Sequence, residues 1–173
     1  MAEIKLSNSN LNISEDLNSV DNIGEVLNDI VDDILRPYVE DIDNYMEFIR
    51  KLLHDPINPP SDQELDDFTL NIPSLLYFTS QGQEIIGLKE DISKSIRTEA
   101  FNNSYTENEG TVGDKKAAAE LEAKEKELVQ IAYQRAYKKI KLRMEYANEM
   151  LQSVKKVTSR RISELEMSRI GGK

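Results

Sequence analysis

The sequence predicts an all-α protein made of long helices: an antiparallel hairpin over residues 73–173, preceded by an acidic amphipathic helical segment over residues 14–54. Three observations lead there. Apolar residues recur at steps of three and four through residues 23–53, the spacing that places them on one helix face. Three of the five prolines fall at Pro56, Pro59 and Pro60, which marks a break between helical stretches. Finally, residues 114–167 contain neither proline nor glycine and are rich in Ala, Glu, Lys and Leu, the residues with the highest helix propensity.

Taken in order, residues 1–13 are polar and Asn/Ser-rich and are expected to form a flexible tail. The segment 14–54 carries Ile23, Leu27, Ile30, Ile34, Tyr38, Ile42, Tyr45, Ile49 and Leu53 on one face. Its other faces hold Asp29, Asp32, Asp33, Glu40, Asp41, Asp43 and Glu47. Pro37 lacks a backbone donor and crowds the preceding turn, so a kink or a split into two helices is expected there. Residues 55–72 are expected to be a proline-rich linker, within which Ser61 and Glu64 have the spacing of a capping box that restarts a helix briefly. Pro73 then opens the first arm of the hairpin, with Leu76, Ile85, Leu88, Ile92 and Ile96 as its expected buried positions and Gly82 and Gly87 weakening it by about 1 kcal/mol each. A polar loop is expected over residues 102–113, and Asp114 is placed as the N-cap of the final helix. That helix, about 80 Å long at 1.5 Å per residue, needs a partner along its length, either the first arm or other copies of the chain.

Composition narrows function. The chain of 173 residues has no cysteine, no tryptophan and one histidine, which removes disulfides, thiolate metal sites and the common nucleophile–histidine pairs. Enzymatic activity, cofactors and metals are therefore not expected. The aspartates at 29, 32, 33 and at 62, 66, 67 lack the spacing and turn glycine of a calcium loop. His54 ends a helix, where it meets carbonyls more readily than a metal. Gly110 and Gly113 before Lys115 lack the spacing of a phosphate loop and read as a turn. No apolar run has the length of a signal peptide or a membrane span, so a cytoplasmic location and no membrane partner are expected.

Charge is the most informative feature. Residues 1–113 hold 7 Lys/Arg against 23 Asp/Glu, whereas residues 114–173 hold 15 against 9. Within residues 135–161 there are nine Lys/Arg and two acids, Glu145 and Glu149. At about 100° per residue, Tyr133, Tyr137, Ile140, Met144, Ala147, Leu151, Val154, Ile162 and Leu165 share one face of the last helix, the packing or oligomerisation face. Arg135, Lys138, Lys139, Lys156 and Arg160 fall opposite, with Tyr146 among them. Such a stripe is either a solvated surface or a track for a phosphate backbone, with tyrosines available for base stacking. The acidic first segment is a solvated face, a dock for a basic partner, or a cover over the chain's own basic stripe.

The Pro-Ser-Leu-Leu-Tyr start at residues 73–77, Thr-Val-Gly-Asp-Lys-Lys at 111–116, Ala-Tyr-Lys-Lys-Ile-Lys at 136–141 and Ser-Arg-Arg-Ile at 159–162 together resemble the small helical recombination mediators of T4-like phages, the UvsY type. The likeness covers residues 72–173 and is one of layout; the acidic segment before it departs from that pattern. The resemblance implies a non-enzymatic homo-oligomer that binds single-stranded DNA, displaces the single-stranded-DNA-binding protein and loads a RecA-like recombinase in the host cytoplasm. It implies that Lys155, Lys156, Arg160 and Arg161 contact DNA, supported by Arg135, Lys138, Lys139 and Arg143. The alternative is a helical scaffold, virion component or adaptor that binds no nucleic acid, in which Ile140, Met144, Leu151, Val154, Ile162 and Leu165 serve assembly alone.

Overall fold

The computed structural model describes residues 7–171, with side-chain surroundings given for residues 20–170. The chain is all-α. Its three helices are α1 (Ser7–Leu53), α2 (Asp62–Glu107) and α3 (Val112–Gly171), and no strand occurs among the described residues. At 1.5 Å per residue they are about 70, 70 and 90 Å long.

The helices begin earlier and the connections are shorter than the sequence suggests. α1 already includes residues 7–13 of the expected tail; residues 1–6 lie outside the described part. It passes through Pro37 as one helix. The Pro37 ring is exposed, so the carbonyl it leaves without a donor can be met by water. Only residues 54–61 form the α1–α2 connection, because Ser61 does more than restart a helix briefly. Its hydroxyl accepts from the Glu64 backbone N–H at 3.2 Å while the Glu64 carboxylate accepts from the Ser61 N–H, and the helix so capped runs on through an exposed Pro73. Residues 62–72, expected to be linker, instead supply Leu65, Phe68 and Ile72 to the core.

The second connection spans only residues 108–111, since α2 extends to Glu107. Gly110 adopts φ 126° there, a conformation open to glycine and strained for other residues. The cap of α3 is Thr111 rather than Asp114. The Thr111 hydroxyl accepts from the Asp114 N–H at 3.3 Å, and the Asp114 carboxylate accepts from the Thr111 N–H at 3.1 Å.

Long-range contacts establish the order of packing. Asp62 meets Arg161 near one end and Arg97 meets Glu127 near the other, so α2 and α3 run in opposite directions. Tyr38 lies against Gly82, and Tyr45 reaches Phe68 and Asn71, so α1 opposes α2 as well. α1 and α3 therefore run the same way. The core joins Val31, Leu35, Val39, Ile42, Met46 and Ile49 of α1 to Leu65, Phe68, Ile72 and Ile86 of α2 and to Ala132, Ala136, Ile140, Ala147, Leu151 and Val154 of α3.

The buried line of α2 differs from the expected one. Leu65, Ile72, Thr79, Ile86 and Ser93 follow a seven-residue step and are buried, while Ile85, Leu88, Ile92 and Ile96 are all more than 40% exposed. Thr79 and Ser93 are tolerated inside because each hydroxyl donates to its own helix, to the Leu75 and Glu90 carbonyls. On α3, Ile140, Leu151 and Val154 are buried and Met144 is half-buried, but Ile162 and Leu165 are 52% and 53% exposed. They lie beyond Arg161, whose partner Asp62 is the first residue of α2, so none of the described residues of the other helices covers them.

Two core substitutions follow. Ile140 is fully buried, and Ile140→Ala is expected to cost about 2–5 kcal/mol through lost burial and a residual cavity. Urea unfolding would register this as a lower midpoint at unchanged slope. Leu151, 7% exposed within a single copy, is a core residue, so a charged replacement there unfolds the bundle rather than acting on assembly alone.

Candidate nucleic-acid interface

The eight cations singled out on α3 divide by the direction in which they leave the helix. Lys139, Arg143 and Arg161 lie on the flank nearest α1 and α2 and are half-buried. The Lys139 ammonium donates to Asp32 and to Asn28, both at 2.8 Å. Arg143 Nε donates to Asp43 at 2.7 Å. Arg161 donates to the Pro60 carbonyl at 2.7 Å and to Asp62 at 3.1 Å. These three therefore join the acidic half of the chain to the basic helix.

The remaining five are exposed. Arg160 makes only a local pair with Glu164 at 3.4 Å. Arg135, Lys138, Lys155 and Lys156 form no ion pair among the described residues. At about 100° per residue, Arg135, Lys138, Lys156 and Arg160 fall within roughly 60° of one another, on the side of α3 opposite Ala136, Ile140, Ala147 and Val154. From Arg135 to Arg160 the face is about 38 Å long. Its middle holds Glu145, Glu149 and Tyr146, and Lys141 approaches Glu145 at 3.9 Å. Lys155 leaves α3 to one side of this face.

The two ends are not equivalent. A cleft of about 280 Å³ between α1 and α3 brings Arg135, Lys138 and Lys139 together against Gly24, Asn28 and Val31. A Cβ at Gly24 would have nothing within 4 Å, so this wall is open. Arg135 and Lys138 supply uncompensated charge, while Lys139 is already shared with Asp32 and Asn28. Asn28, which sequence reasoning did not select, adds an amide to the wall. Its four-residue step to Asp32 was the available signal. Tyr133 and Tyr137 pack inward, Tyr133 beneath the Lys89 ammonium at 5.9 Å and Tyr137 against Gly87. Neither is placed to stack on a base; Tyr146 is the exposed tyrosine of this stretch.

The Lys139 hydrogen bond holds the Asp32 carboxyl below its ordinary 3.8, with the nearby Lys139 and Arg143 charges adding to it. A carboxylate with a lowered folded-state pKa stabilises the fold fully above its unfolded value and loses that contribution as pH falls through the folded one. Acidification below about pH 4 is thus expected to loosen α1 from α3 at this point. Both side chains are at least a third exposed, so the loss is about 1 kcal/mol or less. Asp32→Asn should flatten that acid limb of the unfolding curve while leaving neutral-pH helicity intact.

No cluster of three or more potential metal-binding side chains occurs among the described residues, and no described helix is long and apolar enough to cross a membrane. Comparison with family models, with curated proteins and with solved structures finds no match to this chain.

Proposed function

We propose that the chain is a non-enzymatic accessory protein of DNA recombination that binds single-stranded DNA along the outer face of α3. The observation that carries this reading is the row of exposed cations Arg135, Lys138, Lys156 and Arg160, with Lys155 to one side, which make no ion pair with the acidic half among the described residues while Lys139, Arg143 and Arg161 are tied to it. An exposed row of this kind suits a flexible phosphate backbone and carries no base information. In this reading the α2–α3 pair is an antiparallel hairpin that serves as a rigid arm in a homo-oligomer. It works in the host cytoplasm, where it helps a RecA-like recombinase replace the single-stranded-DNA-binding protein. The layout of residues 72–173 supports that role.

The test is fluorescence anisotropy of a labelled single-stranded oligonucleotide titrated with the full chain at low and moderate salt. Salt-sensitive binding without sequence preference is the expected result. Absence of binding at low salt would leave the second reading, a helical scaffold or adaptor. That reading draws on the exposed apolar rows of α1 and α2, which suit protein partners.

A further inference from the structure

The cleft at the Arg135 end of the basic face differs in charge from the helices that form it. Its α3 wall is Arg135, Lys138, Lys139 and Leu142, and its α1 wall is Gly24, Asn28 and Val31. α3 holds five cations and no acid between Glu127 and Glu145, so neither Arg135 nor Lys138 has a carboxylate within a turn of its own helix. α1 is acidic here, with Asp21, Glu25, Asp29, Asp32 and Asp33 in the same stretch. At 100° per residue, Glu25, Asp29 and Asp33 leave α1 about 100–180° away from Gly24 and so turn from the cleft. Asp32 is tied to Lys139, and Asp21 lies outside the lining, nearer the N-terminus. The acidic helix thus sets uncharged residues against the cations.

The donors are not used up. The Lys139 ammonium has three and gives two, to Asn28 and Asp32. Arg135 and Lys138 make no ion pair among the described residues. The cleft, at about 280 Å³, falls below the roughly 300–1,000 Å³ of sites that enclose a drug-sized ligand. Its lining has no aromatic ring, and the Asn28 carbonyl oxygen is already taken by Lys139. Room for a small group, donors on three cations and nothing to read a base select an oxyanion over a nucleoside.

We propose that this cleft is a phosphate anchor, in which the Arg135 guanidinium and the Lys138 and Lys139 ammonium groups hold one phosphate against the uncharged wall of α1. Arginine suits this because its planar fork gives two parallel N–H bonds to one phosphate. Asn28 and Asp32 are positioning residues, acting through Lys139. The anchor rests on the reading of α3 as a phosphate track and gives that track one fixed end.

Calorimetric titration of the full chain with inorganic pyrophosphate at low salt tests it. One pyrophosphate per chain is expected to bind saturably. Gly24→Glu, which sets a carboxylate in the open wall, and Arg135→Gln with Lys138→Gln should each weaken binding at least about 10-fold, as loss of charged hydrogen bonds does. A Cβ at position 24 meets nothing and glutamate is the better helix former, so folding is retained. Lys116→Gln with Lys124→Gln removes the same charge elsewhere on α3 and should leave the affinity as it was. No saturable binding, or equal losses in the two glutamine pairs, overturns the inference. Labelled single strands with a 5′-phosphate or a 5′-hydroxyl identify the source: a preference for the first means a terminal phosphate occupies the anchor, and equal affinity, weakened by Gly24→Glu, means a backbone phosphate does. Strands that bind Gly24→Glu and the unaltered chain equally overturn the anchor and leave the track. Pyrophosphate held at the cleft by a chain without single-strand affinity overturns the track and keeps the anion site.

Discussion

Replacing Arg135, Lys138, Lys156 and Arg160 together by glutamine is expected to weaken single-stranded DNA binding by at least about 100-fold at moderate salt. The slope of log affinity against log salt should fall by about 3, since each phosphate contact on a single strand contributes roughly 0.7 through counterion release. Thermal stability should hold, because all four side chains are exposed and the only ion pair they make among the described residues is the local Arg160–Glu164 one. Replacing Lys139, Arg143 and Arg161 instead should produce the reverse pattern: a smaller change in salt slope and a lower unfolding midpoint. Those three side chains hold Asp32, Asp43, the exposed Asp62 and the Pro60 carbonyl, and removing them leaves the partly buried Asp32, Asp43 and Pro60 acceptors unpaired. If the first set left DNA affinity unchanged while the second abolished it, the outer face of α3 would not be the binding track.

Gly82→Val is expected to be among the most damaging single substitutions in the chain. A Cβ at Gly82 would lie 2.6 Å from Tyr38 Cβ and 2.7 Å from its Cγ and Cδ1. Those atoms sit near the root of the Tyr38 side chain, so rotation cannot clear them and α1 must move off α2. Overpacking of this kind costs about 3 kcal/mol, and a branched residue enlarges it. Gly82→Ala should cost less, because the gain in helix propensity of about 1 kcal/mol offsets part of the clash. Combining Gly82→Val with Tyr38→Ala should recover stability relative to the sum of the two single changes, a coupling that urea unfolding of the four proteins would measure. Additivity would mean that the two helices do not approach here as described.

Much of the local structure was legible in the residues. The helical period of α1, the Ser61–Glu64 capping box and the uninterrupted last helix each depend on neighbours within a turn or two, which sequence spacing reports directly. The buried row of α1 (Val31, Leu35, Val39, Ile42, Met46 and Ile49), however, shares only Ile42 and Ile49 with the expected face, whose Ile23 and Ile30 are exposed. α2 was harder because it has two apolar rows. Ile85, Leu88, Ile92 and Ile96 are the more hydrophobic, yet the row that is buried includes Thr79, Gly82 and Ser93. Small and hydroxyl residues carry little hydropathic signal, and they lie inside because helices come close there and the hydroxyls bond to their own backbone. Gly82 looked like a weakness of the helix; it is the point where Tyr38 crosses it.

The candidate site divides in the same way. Composition and order by themselves determined that the chain is helical, that its acidic residues precede its basic ones, and that the last helix has a packed face and a charged face. Those properties follow from side-chain chemistry and the helical period alone. Tertiary structure decided which cations remain available. Lys139, Arg143 and Arg161 differ from Arg135, Lys138 and Lys156 only by a fraction of a helical turn, and their partners Asp32, Asp43 and Asp62 lie about a hundred positions away along the chain. Periodicity within one helix says where a side chain points, but not what another helix brings to meet it. For the same reason Ile162 and Leu165 continue the apolar face of α3 yet stay uncovered: the face outlasts the helices that would bury it.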